Sequence, residues 1–345
     1  MGADIDLRGL VPVHDIGREL FGPAGNAEHG CNIGRQGDTL PFQPSGPERK
    51  TPMHQFKTLK WSLHPGPSRP DESSIGLLTL SRPEALNAID VRMRVELDLL
   101  LDQIRRDDRI RVVIMTGEGR GFSAGGDLRS EAGPLGALDE EHDFGAFGAY
   151  KELANYFFND LRHVVIQRAI RKLEELQAVT IAAINGPAVG IGLELATACD
   201  MRYASEQARL GEVAVPAGFV PESGGARNLP KLVGMGRAME MILTGKIIDA
   251  SEAERIGLVE KVFPHDKLME EVFALAGQIA AAPFLSVRHA KALVRRYWDH
   301  NKSAEGAQME LESVMEITRT ADCREGIRAF LDKRSPQYRG PGYGT

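Results

Sequence analysis

The sequence predicts an α/β fold that runs into a helical C-terminal region. Short apolar runs of strand length alternate with longer segments of helical period as far as Phe263, the pattern of βα units around a largely parallel sheet. After Glu260-Lys261-Val262-Phe263 the chain reads as helix almost without a break to about Lys333. Residues 1–52 differ from both parts. Glycine and proline are scattered through them, as in Phe21-Gly22-Pro23-Ala24-Gly25, and neither period is sustained. The expected organisation is therefore an N-terminal extension over 1–52, either an arm or a partly disordered tail, a core over 53–263 and a helical region over 264–345.

The elements follow in order. Gly76-Leu77-Leu78-Thr79-Leu80 reads as a strand closed by Ser81-Arg82-Pro83. Asp90 is placed to cap a helix reaching about Arg106, with Val91, Val95, Leu99 and Leu101 among its apolar positions. Val112–Met115 is a second strand. Residues 129–147 are polar and carry glycine, so they read as a loop. A helical pattern then runs to about Leu176, with Leu153, Phe157, Leu161, Val164, Val165, Ile170 and Leu173 apolar. Phe144, Phe147, Tyr150, Tyr156, Phe157 and Phe158 are read as the core face of that helix, the alternative being that they line a roomy apolar cavity. Val179–Ile184 has the continuous apolar character of a buried strand, and Asn185-Gly186-Pro187 turns the chain.

Composition limits the function classes. Of 345 residues, 42% are hydrophobic and 26% charged, ordinary usage for a globular protein. No stretch approaches the ~18–20 uncharged apolar residues of a membrane span. A net charge of −6 confines any nucleic-acid surface to a local patch. The one basic cluster, Arg288, Lys291, Arg295 and Arg296, reads as a solvated helix face. Three widely spaced cysteines, Cys31, Cys199 and Cys323, form neither a disulfide framework nor a zinc pattern, and point to a reducing cytoplasm.

Several glycine-rich segments need sorting. Gly117-x-Gly119 and Gly190-x-Gly192 lack the third glycine of a dinucleotide fingerprint, since Phe122 and Leu195 stand there, and no Gly-Lys-Ser/Thr follows either. Gly121-Phe122-Ser123-Ala124-Gly125 fits the G-x-S-x-G nucleophile elbow, with His265 or His289 as bases. Ser123 stands too far beyond the strand end at Thr116 for an elbow, which sits at a strand's tip. A reading through the backbone is more consistent. Ser123-Ala124-Gly125-Gly126-Asp127 follows a strand, and Asn185 to Glu194 enters a helix whose first N–H groups are unpaired and lie at the positive end of its dipole. Two such N–H groups on one carbonyl oxygen make an oxyanion hole.

These segments also carry a resemblance. The chain from about residue 56 to 339 resembles the crotonase superfamily, the enoyl-CoA hydratases and isomerases. The matching segments are Ser81-Arg82-Pro83-Glu84-Ala85-Leu86-Asn87-Ala88, Gly121 to Leu128, Ile184 to Asp200, Pro221 to Pro230, Leu243-Thr244-Gly245 and Ala253 to Val259. The resemblance implies a spiral of ββα units with a C-terminal helical region that builds trimers, often paired into hexamers. Apolar positions such as Leu268, Val272, Leu275, Leu293 and Trp298 agree with such assembly. It also implies an acyl-CoA substrate, no metal and no further cofactor, coenzyme A entering as part of the substrate. Neither nucleic acid nor membrane is expected as a partner. By similarity, Gly126 and Ile191 supply the hole through their N–H groups. Ala85, Leu86, Ser123 and Ala124 line the coenzyme A path, and Phe330 and Lys333 reach it from the C-terminal helix.

The acid–base residues discriminate within the family. Glu194 matches the first of the two glutamates with which hydratases hold water. The second would stand at residue 214, which is alanine. Glu212 lies two positions earlier and is expected to be a surface or structural carboxylate; the alternative is that it is the second hydratase glutamate, displaced by two residues. Glu222, after Pro221 and before Ser223-Gly224-Gly225, stands where several isomerase branches carry Glu or Asp: the peroxisomal-type Δ3,Δ2-enoyl-CoA isomerases, the ring-type isomerase of phenylacetate degradation and the dienoyl-CoA isomerases. A charge stabilising a helix start is the other role open to it. The expected activity is double-bond isomerisation, slightly ahead of hydration, with Glu194 and Glu222 as acid–base groups. A hydrolase of the same fold and a catalytically weak CoA- or RNA-binding member are the alternatives.

Overall fold

The computed structural model describes residues 56–66, 69–127, 158–217, 219–300, 316, 320–332 and 334–338. The expected extension over 1–52, the loop over 129–147, and Phe144, Phe147, Tyr150, Tyr156 and Phe157 lie outside these residues, as do Lys333 and the side chains of Phe158, Trp298 and Phe330.

A hairpin opens the described chain. β1 (Leu59–Gly66) pairs antiparallel with β2 (Arg69–Leu80). From β2 the sheet continues in parallel through β3 (Val112–Gly117), β4 (Val179–Ile184), β6 (Met201–Ser205) and β9 (Lys261–Phe263). β3 and β4 are buried along their whole length, as expected for parallel strands covered on both faces. Alternation divides their side chains between two cores. Leu78, Met115, Ala182 and Ile184 face α1 (Val91–Arg105), α2 (Phe158–Glu175) and α3 (Ile191–Ala198). Ile75, Ile114 and Ile181 face α7 (Leu268–Ala281), which lays Leu268, Val272 and Ala276 against them. Leu268 and Val272 are thus absorbed within the subunit.

A second, three-stranded sheet joins β5 (Ala188–Val189), β7 (Arg209–Gly211) and β8 (Ile247–Asp249). Between β7 and β8 come α4 (Gly225–Val233) and α5 (Met235–Thr244), and α6 (Ala250–Arg255) follows β8. α8 (Phe284–His300) and α9 (Ala321–Leu331) end the described chain. The helix start at Asp90 follows the expectation: its side chain accepts the Met93 N–H at 2.8 Å.

The basic cluster on α8 departs from the expected solvated face. Lys291 and Arg295 turn onto Asp200 at 2.7 and 2.8 Å, and Arg288 stacks on Phe284. Burial alone would raise the Asp200 carboxyl; the two cations, with the Thr180 N–H, hold it below the usual carboxylate range. Lys291 and Arg295 thereby tie α8 to Asp200, next to the start of β6.

Candidate active site

Two loops meet above the carboxyl ends of the central strands. The first, Gly121 to Asp127, follows β3. The second, Asn185 to Gly190, follows β4 and leads into α3. They pack so closely that glycine is needed at the contacts. Gly125 has φ of +90°, and a Cβ there would stand 2.7 Å from the Val189 carbonyl oxygen. At Gly192 a Cβ would stand 2.5 Å from the Ser123 carbonyl oxygen. The turn that precedes them is pinned to the first loop by Asn87, whose amide nitrogen donates to the Glu118 and Gly121 carbonyls, while Ala124 N–H donates to the Leu86 carbonyl. Ala85 and Leu86 are thereby held next to Ala124.

Ser123 is not where a nucleophile would be. Its side chain is buried, its hydroxyl donates to the Asn87 carbonyl at 2.8 Å, and its oxygen accepts the Gly125 N–H. His265 bonds Ser205, and His289 faces Glu316. Neither histidine pairs with Ser123. The same contacts turn the Ser123 side chain into the loop.

An open cleft of about 640 Å³, counting the space continuous with solvent, lies beneath the two loops. Gly126 and Ile191 line it together, with Ala124, Gly125 and Gly190. Their neighbours' N–H groups are occupied: Gly125 bonds Ser123 Oγ, Asp127 bonds the Ile89 carbonyl and Gly190 bonds the Gly211 carbonyl. Gly126 and Ile191 donate to no acceptor among the described residues. The Ile191 N–H stands at the first position of α3, where no intrahelical acceptor exists.

Three carboxylates share this cleft: Glu194, Glu212 and Glu222. Glu194, on the first turn of α3, reaches across to the start of α4, where its Oε1 accepts the N–H groups of Ser223 at 3.2 Å and Gly225 at 3.0 Å. Burial pushes Glu194 up to about 7; the two amides oppose the shift and the charge of Glu222 adds to it. Glu194 thus bonds the start of α4, and Glu222 is half-buried in the cleft wall. Ala214 also lines the cleft and presents a methyl group to it.

Glu212 is buried, which overturns the surface reading and leaves the structural one open. It is 1% exposed, and among the described residues neither of its oxygens has a hydrogen-bond partner. Burial pushes it up to about 8, and Glu194 adds to the shift; the Ala214 N–H, near it but outside hydrogen-bonding geometry, opposes. Sequence reasoning also passed over Arg94, 1% exposed on α1 and lining the cleft. The signal was its spacing, three residues before Leu97 on the stripe that α1 buries. Phe219 and Val220, both exposed, form the apolar rim. Among the described residues no group of three or more His, Cys, Asp or Glu side chains is arranged to hold a metal ion.

Comparison with known proteins supplies the class. Residues 71–341 match the family model for enoyl-CoA hydratase/isomerase, and the chain belongs to that family. It is 34% identical over 276 residues to the crotonyl-CoA hydratase of Syntrophomonas wolfei, an alignment covering 77% of this chain and 95% of that protein. It is 34% identical over 264 residues to the short-chain-enoyl-CoA hydratase of Clostridium acetobutylicum, covering 76% and 93%. The crystal structure of enoyl-CoA hydratase from Bacillus anthracis superposes with a TM-score of 0.69 at 33% identity, over 82% of this chain and 99% of that one.

Proposed function

We propose that this enzyme moves a double bond within an unsaturated acyl-CoA, with Glu194 and Glu222 exchanging the proton and the Gly126 and Ile191 N–H groups holding the thioester oxygen. One observation carries the reading: Glu194 and Glu222 line a cleft in which residue 214 offers a methyl group where hydration needs a second carboxylate. Isomerisation needs no water. A carboxylate takes a proton α to the thioester, the electrons pass to the carbonyl oxygen, and the dienolate is reprotonated further along the chain. Each N–H donor aimed at that oxygen is worth about 3–4 kcal/mol when charge develops on it. A carboxyl titrating at about 7 suits both halves of the exchange, because it accepts and returns a proton at neutral pH. Hydration is the second reading, and the names of the relatives favour it, since they are hydratases.

Glu194→Gln and Glu222→Gln test the assignment. Each is expected to retain coenzyme A binding and to lower turnover by ~10²–10⁴-fold. The loss should appear in kcat as well as kcat/KM, because the proton moves only in the reaction. A Glu222→Gln enzyme with near-normal turnover would remove Glu222 from the mechanism.

A further inference from the structure

Glu212 has no part in the reaction as proposed, yet the fold brings it into the cleft. Its two oxygens are buried without a hydrogen-bond partner among the described residues. A carboxylate in that state is costly as an ion, because nothing replaces the water it has lost. It is also close to a second carboxylate. A Cβ built on Gly225 would stand 2.7 Å from Glu194 Oε1 and 3.0 Å from Glu212 Oε2, so both side chains converge on the space that residue 225 leaves empty. Two ionised carboxylates in that space would repel each other. One proton lowers both penalties: a neutral carboxyl needs no counter-charge, and it leaves a single negative charge between the two groups.

Which group keeps the proton follows from the donors. Glu194 accepts two amide N–H groups, which favour its ionised form, and Glu212 accepts none. We propose that Glu212 is a positioning residue that holds the proton of a carboxyl–carboxylate pair with Glu194, so that Glu194 meets the substrate as the ionised member. This rests on the acid–base role given above to Glu194. The other charged side chains facing the pair across the cleft are Glu222 and Arg94. At higher pH the pair loses its proton, and a second negative charge then opposes the enolate that develops above it. Burial raises both carboxyls, and the charge of Glu194 raises Glu212 further, in keeping with this assignment.

The test compares the pH dependence of kcat/KM for the full chain and for Glu212→Gln. The full chain is expected to give a bell, rising near 7 and falling near 8. The variant is expected to keep the acid limb and lose the alkaline one, which a merely structural side chain would not do. An alkaline limb that survives in the variant overturns the proposal. So does a loss of turnover at every pH, which would make Glu212 a group acting on the substrate itself. Infrared spectroscopy of the unaltered protein covers the case in which the variant fails to fold. A protonated carboxyl present at pH 7 and lost above pH 8 is expected, and its absence at pH 7 overturns the pairing. This signal requires no turnover. Water-adding activity alongside it would refute the isomerase reading and leave the pair intact.

Discussion

Gly225→Ala separates the chemistry of the cleft from its stability. The added methyl carbon would stand 2.7 Å from Glu194 Oε1, 3.0 Å from Glu212 Oε2 and 3.2 Å from Glu194 Cγ. Ordinary contact begins near 3.4 Å, so Glu194 Oε1 must retreat by about 0.7 Å. The backbone is not the obstacle, because Gly225 is not among the glycines with positive φ. What yields is the end of a flexible side chain, at small cost, and alanine favours the helix over glycine by up to ~1 kcal/mol, which offsets part of that cost. The functional effect is larger. A displacement approaching 1 Å at a reacting group can cost ~10²-fold in rate. We expect a melting temperature close to that of the parent and kcat lowered by roughly 10–100-fold with KM little altered. Steady-state kinetics with differential scanning calorimetry measures both. Unchanged kcat in the folded variant would refute the claim that the Glu194 position sets the rate.

Other perturbations reach different parts of the structure. Ile191→Val keeps the N–H and should be mild, whereas Ile191→Pro removes it at the first helical position, where proline fits, and should lower kcat by ~10²–10³-fold; similar mild losses in both would count against a hole at this residue. Glu194 is raised by burial, so the base form grows as pH rises through about 7, and kcat/KM should climb over that interval and lose this limb in Glu194→Gln. Asp200→Asn leaves Lys291 and Arg295 without their anion and should destabilise by about 3 kcal/mol in chemical denaturation. A trimer or hexamer is expected by light scattering, and a monomer at micromolar concentration would contradict that expectation.

The parts of the fold written locally were legible. Val179–Ile184 is a strand because it is a short apolar run between a helix and an Asn-Gly-Pro turn, and α1 starts after Asp90 because that side chain can reach the Met93 N–H. The β1–β2 hairpin was missed: Pro65 and Gly66 interrupt its alternation, and its register shifts at that point. Strands of two or three residues, such as β5 and β7, carry no periodic signal at all. In the cleft, the backbone positions Gly126 and Ile191 and the carboxylates Glu194 and Glu222 were named from their segments, and they lie together. Glu212 was misjudged because its residue type argues for solvent, whereas its burial depends on packing near Gly225, a glycine in another element. The α8 cations were misjudged for the same reason: their partner, Asp200, lies 95 positions before Arg295.

Product identity tests the central claim most directly. The full chain is incubated with 2-enoyl- and 3-enoyl-CoA thioesters of one chain length, in water and in deuterium oxide, and the products are weighed by mass spectrometry. A cleft with Glu194 and Glu222 but only alanine at 214 is expected to interconvert the two substrates without change of mass in water, taking up deuterium in the heavy solvent. Accumulation of a product heavier by one water would contradict it, and so would release of free coenzyme A.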